Sequence, residues 1–316
     1  MKDRILITGG MGFVGGRVAQ SLSAAFPTAE IVIGSRVIRE SPSWLPNAQV
    51  VQIDWHSLKS LISACDGVNT LVHLAGLSDI DCLNNPILAL EINALNTARL
   101  IQAARKTGVK RVIYFSTAHV YSNNLVGDID ERTLPKGRSP YATSHLAAES
   151  LVLAAADAGI GAVVLRLSNS FGVPAHSEVN AWRLLINDLC RQAVMSRRLT
   201  LRSRGLQRRD FVTLKDVSRV VFHMTNLSND QIGDGLFNVG SGKSERVIDM
   251  ARLVQTRCAK ILEYHPVIIR PEHVETDESP ELNFHIEKLL STGFRLGNSA
   301  VLEIDETLRM CQRCFN

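Results

Sequence analysis

Near the start of the chain, Thr8-Gly9-Gly10-Met11-Gly12-Phe13-Val14-Gly15 sets glycines at positions 9, 12 and 15. Glycines so spaced let a chain turn sharply, bring backbone against a pyrophosphate with no Cβ in the way, and pack a helix tightly on a sheet. The amides at the N-terminus of that helix then hold the anion. A glycine triplet alone also serves ordinary structural turns, so the surroundings decide. Here Arg4 to Thr8 is an apolar strand-like run, and Phe13 to Phe26 has helical spacing until Pro27 stops it. Strand, turn and helix in this order predict a dinucleotide site built on Gly9, Gly12, Phe13, Val14 and Gly15. A second strand from Glu30 ends in Ile33-Gly34-Ser35-Arg36. An NAD site wants a carboxylate there for the ribose hydroxyls, whereas a hydroxyl and a guanidinium suit a 2′-phosphate. Ser35 and Arg36 therefore favour NADP(H), with NAD(H) as the other option. Arg39 could serve as well as Arg36, and a solvated loop arginine is the competing reading.

The elements that must position such a site follow one pattern. Further apolar strands are expected at Val50 to Ile53, Thr70 to Leu74, Arg111 to Phe115 and Gly161 to Leu167, with helices near Ser57 to Ala64, Ile87 to Lys106 and Tyr141 to Ala158. Strand and helix alternate, which predicts an α/β fold: a Rossmann-type doubly wound parallel sheet with a smaller C-terminal substrate-binding α/β region. Beyond residue 167 the pattern loosens into glycine-containing loops and shorter helices such as Ala181 to Ser196. We expect residues 1–167, plus about 210–240, to form the dinucleotide-binding domain, and 168–209 with 241–316 to form the substrate-binding domain.

The chain has 316 residues, 45% of them hydrophobic and 21% charged, enough to bury a large core and too balanced for disorder. No stretch of eighteen uncharged apolar residues occurs, so no membrane span is expected, and Met1-Lys2-Asp3-Arg4-Ile5 runs straight into a strand without a leader pattern. A cytoplasmic location is the expectation. Six scattered cysteines fit a reducing compartment; the single Cys311-x-x-Cys314 pair lacks partners at zinc spacing, and no metal site is expected. The run Glu272 to Glu281 reads as a solvated loop. Net charge is +4, with arginines at 191, 197, 198, 202, 204, 208 and 209 concentrated in one window. No aromatic residue interleaves that window, which argues against a nucleic-acid groove.

In order along the chain stand the glycine run, Asp54-Trp55, His73-Leu74-Ala75-Gly76, Ser116-Thr117-Ala118-His119-Val120-Tyr121, Tyr141 with Ser144, Arg166 with Asn169, and Arg209-Asp210-Phe211. This set resembles the extended short-chain dehydrogenase/reductases, in the nucleotide-sugar epimerase/dehydratase/reductase branch, over about residues 3 to 255. The resemblance implies that Asp54 bonds the adenine amino group with Trp55 against the ring. It also implies that Leu74, Ala75 and Gly76 line the cofactor and that Asn93 supports the site. Thr117 stands where a hydroxyl orients the sugar carbonyl, and Tyr141 where the acid/base tyrosine stands. Arg209 and Asn169 occupy the positions that grip a nucleotide diphosphate.

Two departures shape the expected chemistry. Tyr141-Ala142-Thr143-Ser144-His145 puts histidine where the family carries a lysine that depresses the tyrosine pKa and holds the nicotinamide ribose. A histidine near pKa 6.5 is mostly neutral at pH 7 and replaces the hydrogen bond better than the charge. Ala118-His119 replaces the Asp-Glu pair of the sugar 4,6-dehydratases, while His119 and His176 lie near positions that carry acid/base residues in epimerising reductases such as GDP-fucose synthase. The expected activity is NADPH-dependent reduction of a 4-keto nucleoside-diphosphate sugar, with or without epimerisation. The alternatives are a 4-epimerase holding NAD tightly, and a redox-weakened protein of this fold that senses NADP(H) or binds RNA. A homodimer is expected through the helices Ile87 to Lys106 and Tyr141 to Ala158, where Leu90, Leu95, Leu100 and Ile101 are more apolar than one sheet-facing stripe needs.

Overall fold

The structure, a computed structural model, describes residues 3–271 and 280–315. The loop expected from Glu272 to Glu281 therefore falls outside the described residues over 272–279. Seven strands form one sheet: β1 (Arg4–Thr8), β2 (Glu30–Ser35), β3 (Gln49–Gln52), β4 (Thr70–His73), β5 (Arg111–Thr117), β6 (Gly161–Leu167) and β7 (Leu236–Val239). Their order is β7-β6-β5-β4-β1-β2-β3. Every neighbouring pair is parallel. The order reverses between β1 and β4, and a crevice opens beyond the carboxyl ends of the strands at that point.

Strand alternation sorts the core. Ile5, Ile7, Val72 and Ile113 face one side with Val18 and Leu22 of the helix Phe13–Ala25 and Val217, Val221 and Met224 of the helix Leu214–Asn226. Leu6, Leu71, Val112 and Tyr114 face the other side with Leu61, Leu100, Ala148 and Val152. Both faces are covered, so the strands read as unbroken apolar runs. Residues 214–239 thus return to the main sheet, with Leu236–Val239 as its edge strand beside β6.

Two expected helices are resolved differently. The helix Pro140–Leu153 starts where Ser139 accepts the Ala142 N–H and Pro140 takes the first turn, and it ends five residues before Ala158. Gly159, at φ 78, closes the short turn that follows. Ile87 to Lys106 is not one α-helix: a turn at Pro86–Ala89 runs into a π-helical segment, Leu90–Leu95, and then the helix Asn96–Thr107. The wider turn falls at Asn93, a residue of the site below.

The second half packs its own core. Strands Asn169–Phe171, Arg208–Thr213 and Ser244–Arg246 form a three-stranded sheet. Against it lie helices Leu185–Ser196, Val247–Ile261 and Ala300–Phe315, which enclose Ile186, Leu189, Ile248, Val254, Ile304 and Leu308. Cys190, Cys258 and Cys311 are buried there as free thiols, and Cys314 is exposed. Buried Glu303 of the last helix accepts the Val173 N–H at 3.0 Å and the Lys215 N–H at 3.1 Å and pairs with Arg17 at 3.1 Å, tying that helix to the loop after β6. No described helix is long and apolar enough to cross a membrane.

Candidate active site

The glycine turn lies at the crevice, and its geometry accounts for its composition. Gly9 has φ +72, and a Cβ there would stand 2.7 Å from the Leu74 carbonyl carbon. At Gly15 a Cβ would come within 2.2 Å of the Gly9 carbonyl oxygen. Gly12 donates its N–H to Gly9 at 2.9 Å and precedes a helix with no side-chain cap and no acidic residue in its first turn. The N–H groups of Phe13, Val14 and Gly15 are then without intrahelical partners, at the positive end of the helix dipole. A pyrophosphate fits this cradle in both shape and charge.

The other wall is the segment after β4. Leu74 donates its N–H to the Thr8 carbonyl at 3.0 Å, and the Ala75 N–H reaches the Thr8 hydroxyl at 3.4 Å. Asn93 braces this wall from the π-helical turn. Its Oδ1 accepts the Leu77 N–H at 2.8 Å, and its Nδ2 donates to Ser144 Oγ at 2.9 Å. Ser35 and Arg36 lie at the carboxyl end of β2. The Ser35 hydroxyl accepts the Val37 N–H, and the exposed Arg36 guanidinium has no partner among the described residues. Beyond β3, Asp54 accepts the His56 N–H at 3.0 Å.

A row of rings crosses the sheet behind the crevice: Trp55, His73, Tyr114, His145, Tyr141, with successive centroids 6.0, 5.5, 5.9 and 4.6 Å apart. Its polar atoms are paired with care. The His73 Nδ1 lies 2.6 Å from the Thr8 hydroxyl and Nε2 lies 2.9 Å from Thr97 Oγ1. The His145 Nδ1 lies 2.7 Å from the Tyr114 hydroxyl. Burial sets the charge state of all of them. It pushes His145 down to about 4, and burial followed by the charge of His145 pushes His73 to about 3. Burial lifts Tyr141 to about 12, opposed by the Thr117 hydroxyl and reinforced by Asp79. Near neutral pH the site therefore holds a protonated phenol beside a neutral imidazole, with Thr117 next to the phenol.

On the substrate side, His119 is pushed down first by burial and also by the positive charge of Arg209, while Asp79 pulls it upward. Its N–H donates to Thr117 Oγ1 at 3.1 Å. The Arg209 guanidinium forms no ion pair or hydrogen bond among the described residues. Asn169 Nδ2 donates to the Asp210 carbonyl at 3.0 Å, leaving one of its two N–H bonds free. Asp210 is fully buried and accepts from Ser168 at 2.5 Å and from the Ser241 N–H and hydroxyl, each at 2.9 Å, which fixes the strand that carries Arg209.

His176 is placed elsewhere than its expected partnership with His119. Its Nε2 donates to the Met11 carbonyl at 3.0 Å, inside the glycine turn, and its ring stacks on Trp44 at 5.5 Å. No contact among the described residues joins it to His119. The reason is local: Ala175 packs against Gly16 of the first helix, which draws this loop over the turn. Conversely, Tyr114 and Asp79 bear on Tyr141 and His145 without any motif to mark them. The signal for Tyr114 was strand alternation, which turns residues 114 and 116 toward the helix that carries residues 145 and 149.

The chain matches the model of the NAD dependent epimerase/dehydratase family over residues 5–240. It belongs to that family. Mouse dTDP-D-glucose 4,6-dehydratase is 28% identical over 263 residues, covering 79% of this chain and 71% of that protein. GDP-6-deoxy-D-mannose reductase of Pseudomonas aeruginosa is 28% identical over 262 residues, covering 80% of each chain. The crystal structure of UDP-glucose 4-epimerase from Thermotoga maritima with UDP-glucose superposes with a TM-score of 0.81 at 19% identity, covering 99% of this chain and 100% of that one. Its relatives in the epimerase/dehydratase family include nucleotide-sugar epimerases, dehydratases and reductases.

Proposed function

We propose that the protein reduces a 4-keto group on a nucleoside-diphosphate sugar, with NADP(H) as the cofactor and Tyr141 as the proton donor. The protonation state of Tyr141 carries this reading. With its pKa at about 12 and a neutral His145 beside it, the phenol holds its proton throughout the working pH range. Reduction needs that proton, whereas oxidation needs a phenolate that no cation among the described residues supports. When bound, the dinucleotide supplies the hydride. The free amides of Phe13, Val14 and Gly15 hold its pyrophosphate, Asp54 and Trp55 receive the adenine, and Ser35 and Arg36 bind the 2′-phosphate. Thr117 orients the sugar carbonyl toward Tyr141, and the unpaired Arg209 grips the diphosphate together with the free N–H of Asn169. Ala118 and His119 supply no carboxylate pair for elimination. Epimerisation would add two proton steps at the carbon beside the keto group: His119, whose pKa burial lowers, takes the proton from one face and solvent returns one to the other.

Bound-cofactor extraction and a thermal-shift panel of nucleotide sugars test the reading. Stabilisation by NADPH and by a sugar nucleotide is expected. Retained NAD points instead to a 4-epimerase, and cofactor binding without any sugar nucleotide points to a sensor. Tyr141→Phe should lower turnover about 10²- to 10⁴-fold with little change in cofactor affinity; turnover that survives the substitution removes Tyr141 from the chemistry.

We further propose a homodimer built on the helical segments 79–107 and 140–153. Leu100 and Ile101, expected at such an interface, are instead buried in the core. The supporting residues are Leu83, Ile87, Leu90, Leu95 and Leu151, which are 68%, 80%, 45%, 53% and 39% exposed. All five are exposed apolar side chains on these two segments, the kind that association would cover.

A further inference from the structure

We propose that Tyr114 is a positioning residue: its hydroxyl donates to Nδ1 of His145 and thereby fixes the Nε2–H tautomer, so that a neutral donor faces the dinucleotide. The proposal rests on the reading of this site as a dinucleotide-dependent reductase.

Both side chains are buried, Tyr114 at 2% exposure and His145 at 7%, and they meet through the 2.7 Å contact between the phenolic oxygen and Nδ1. Among the described residues, that nitrogen is the only hydrogen-bonding partner of the Tyr114 hydroxyl. A phenol with one partner must donate to it or strand its proton in the core, since the phenolic oxygen tolerates an unused lone pair far better than the O–H tolerates no acceptor. Nδ1 is then the acceptor, and in a neutral imidazole the proton goes to Nε2. Nε2 has no polar partner among the described residues, and it is absent from the unpartnered side-chain atoms that are sealed from solvent. It is therefore free to donate outward. The ring edges against Tyr141 at 4.6 Å, which sets it on the catalytic side of the helix Pro140–Leu153.

The pair forms because two periodicities coincide. Residue 114 lies in a strand whose alternate side chains face this helix, and residue 145 lies one turn beyond Tyr141 on the same helix face. His73, level with Tyr114 in the β4–β5 ladder, is bonded at both ring nitrogens by Thr8 and Thr97 and offers the phenol no alternative acceptor. Where a lysine would present a mobile charged donor, this site presents a rigid neutral one whose direction is set from behind by Tyr114.

Long-range ¹H–¹⁵N spectra of histidine-labelled protein, with His145 assigned by its loss in His145→Gln, read the tautomer directly and without substrate. We expect an unprotonated Nδ1 and a protonated Nε2 in the wild type. Tyr114→Phe, which removes one oxygen, should yield a mixture of tautomers and raise the Kd of the dinucleotide about three- to tenfold. Made in a His145→Leu background, which offers the phenol no acceptor and the dinucleotide no donor, the same substitution should leave Kd unchanged. A wild-type ring protonated at Nδ1 overturns the proposal even if Tyr114→Phe fails to fold. So does a Tyr114→Phe variant in which the tautomer is unaltered while Kd or stability changes, the mark of a merely structural residue. A wild-type protein with the expected tautomer that binds neither NADPH nor NADH is the failure of the functional reading, and the proposed target of the donor falls with it.

Discussion

At Tyr141, burial outweighs the Thr117 hydroxyl that favours the phenolate, and at His145 burial alone disfavours the imidazolium. With the phenol at about 12, the phenolate fraction at neutral pH is on the order of one part in 10⁵, and it grows tenfold for each pH unit up to the pKa. Alcohol oxidation should therefore accelerate about tenfold per pH unit through the alkaline range, while ketone reduction stays flat between about pH 6 and 9. Protonation of His145 does not bend either profile in that interval, because burial pushes its pKa down to about 4. Rate profiles of the two half-reactions decide the matter, and an oxidation limb that levels off near pH 7 would contradict the assigned protonation state. The proposed preference for NADP(H) rests on another single residue. If Arg36 meets the 2′-phosphate, Arg36→Ala should weaken NADPH about 10- to 100-fold, the range of a lost charged hydrogen bond, and leave NADH unchanged. Fluorescence titration with both cofactors measures this, and equal affinity of the unsubstituted protein for the two would refute the preference.

At the scale of elements, the helix that carries Tyr141 and His145 is anchored by charge as well as by packing. Glu149, one turn beyond His145, forms a buried two-pronged pair with Arg166 of β6, with Nε to Oε1 at 3.0 Å and Nη2 to Oε2 at 2.6 Å. Ser116 of β5 donates to the same carboxylate, and the Arg166 guanidinium lies 4.6 Å over the Tyr121 ring. One carboxylate thus holds the helix to two strands whose carboxyl ends frame the site. Removing one partner leaves the other charge buried and uncompensated, so Glu149→Gln should cost about 3–5 kcal/mol of unfolding free energy. Chemical denaturation of the two proteins checks this, and a loss below about 1 kcal/mol would mean that water or a neighbour compensates Arg166. The π-helical turn at Leu90–Leu95 belongs to this scale too. It sets Asn93 between the Leu77 amide and Ser144 Oγ, so the wall after β4 and the helix Pro140–Leu153 share one brace.

For the whole molecule, the exposed apolar side chains Leu83, Ile87, Leu90, Leu95 and Leu151 predict association. Light scattering at micromolar concentration should give twice the 34.7 kDa chain mass, and the double variant Leu83→Asp, Leu95→Asp should give the monomer mass with its fold intact by circular dichroism. A monomeric wild type would assign those side chains to some other contact. The two halves of the chain are also interlocked through Glu303, whose carboxylate reaches the loop after β6, the start of the helix Leu214–Asn226 and Arg17. The last helix carries no motif, yet it fixes the segment that lays His176 on the glycine turn.

The amino-acid sequence alone determined the parallel α/β sheet, the glycine turn and the family, because each depends on short-range patterns: period-two and period-3.6 burial, glycine where a Cβ has no room, and motifs of a few residues. Arg4–Thr8 and Gly161–Leu167 were legible to the residue for that reason. Other features depend on which distant groups share a desolvated space, and only the tertiary structure decided them. His145 reads as a histidine near its ordinary pKa until Tyr114, thirty-one residues earlier, is seen bonded to it in a dry interior. His176 reads as a second acid/base residue until Met11 and Trp44 are found to hold its ring. Leu100 and Ile101 read as interface residues, but a helical stripe does not say which side meets the sheet, and burial turned them inward while leaving Leu90 and Leu95 out. Burial, and the pKa values that follow from it, are properties of the assembled surface and not of any local pattern.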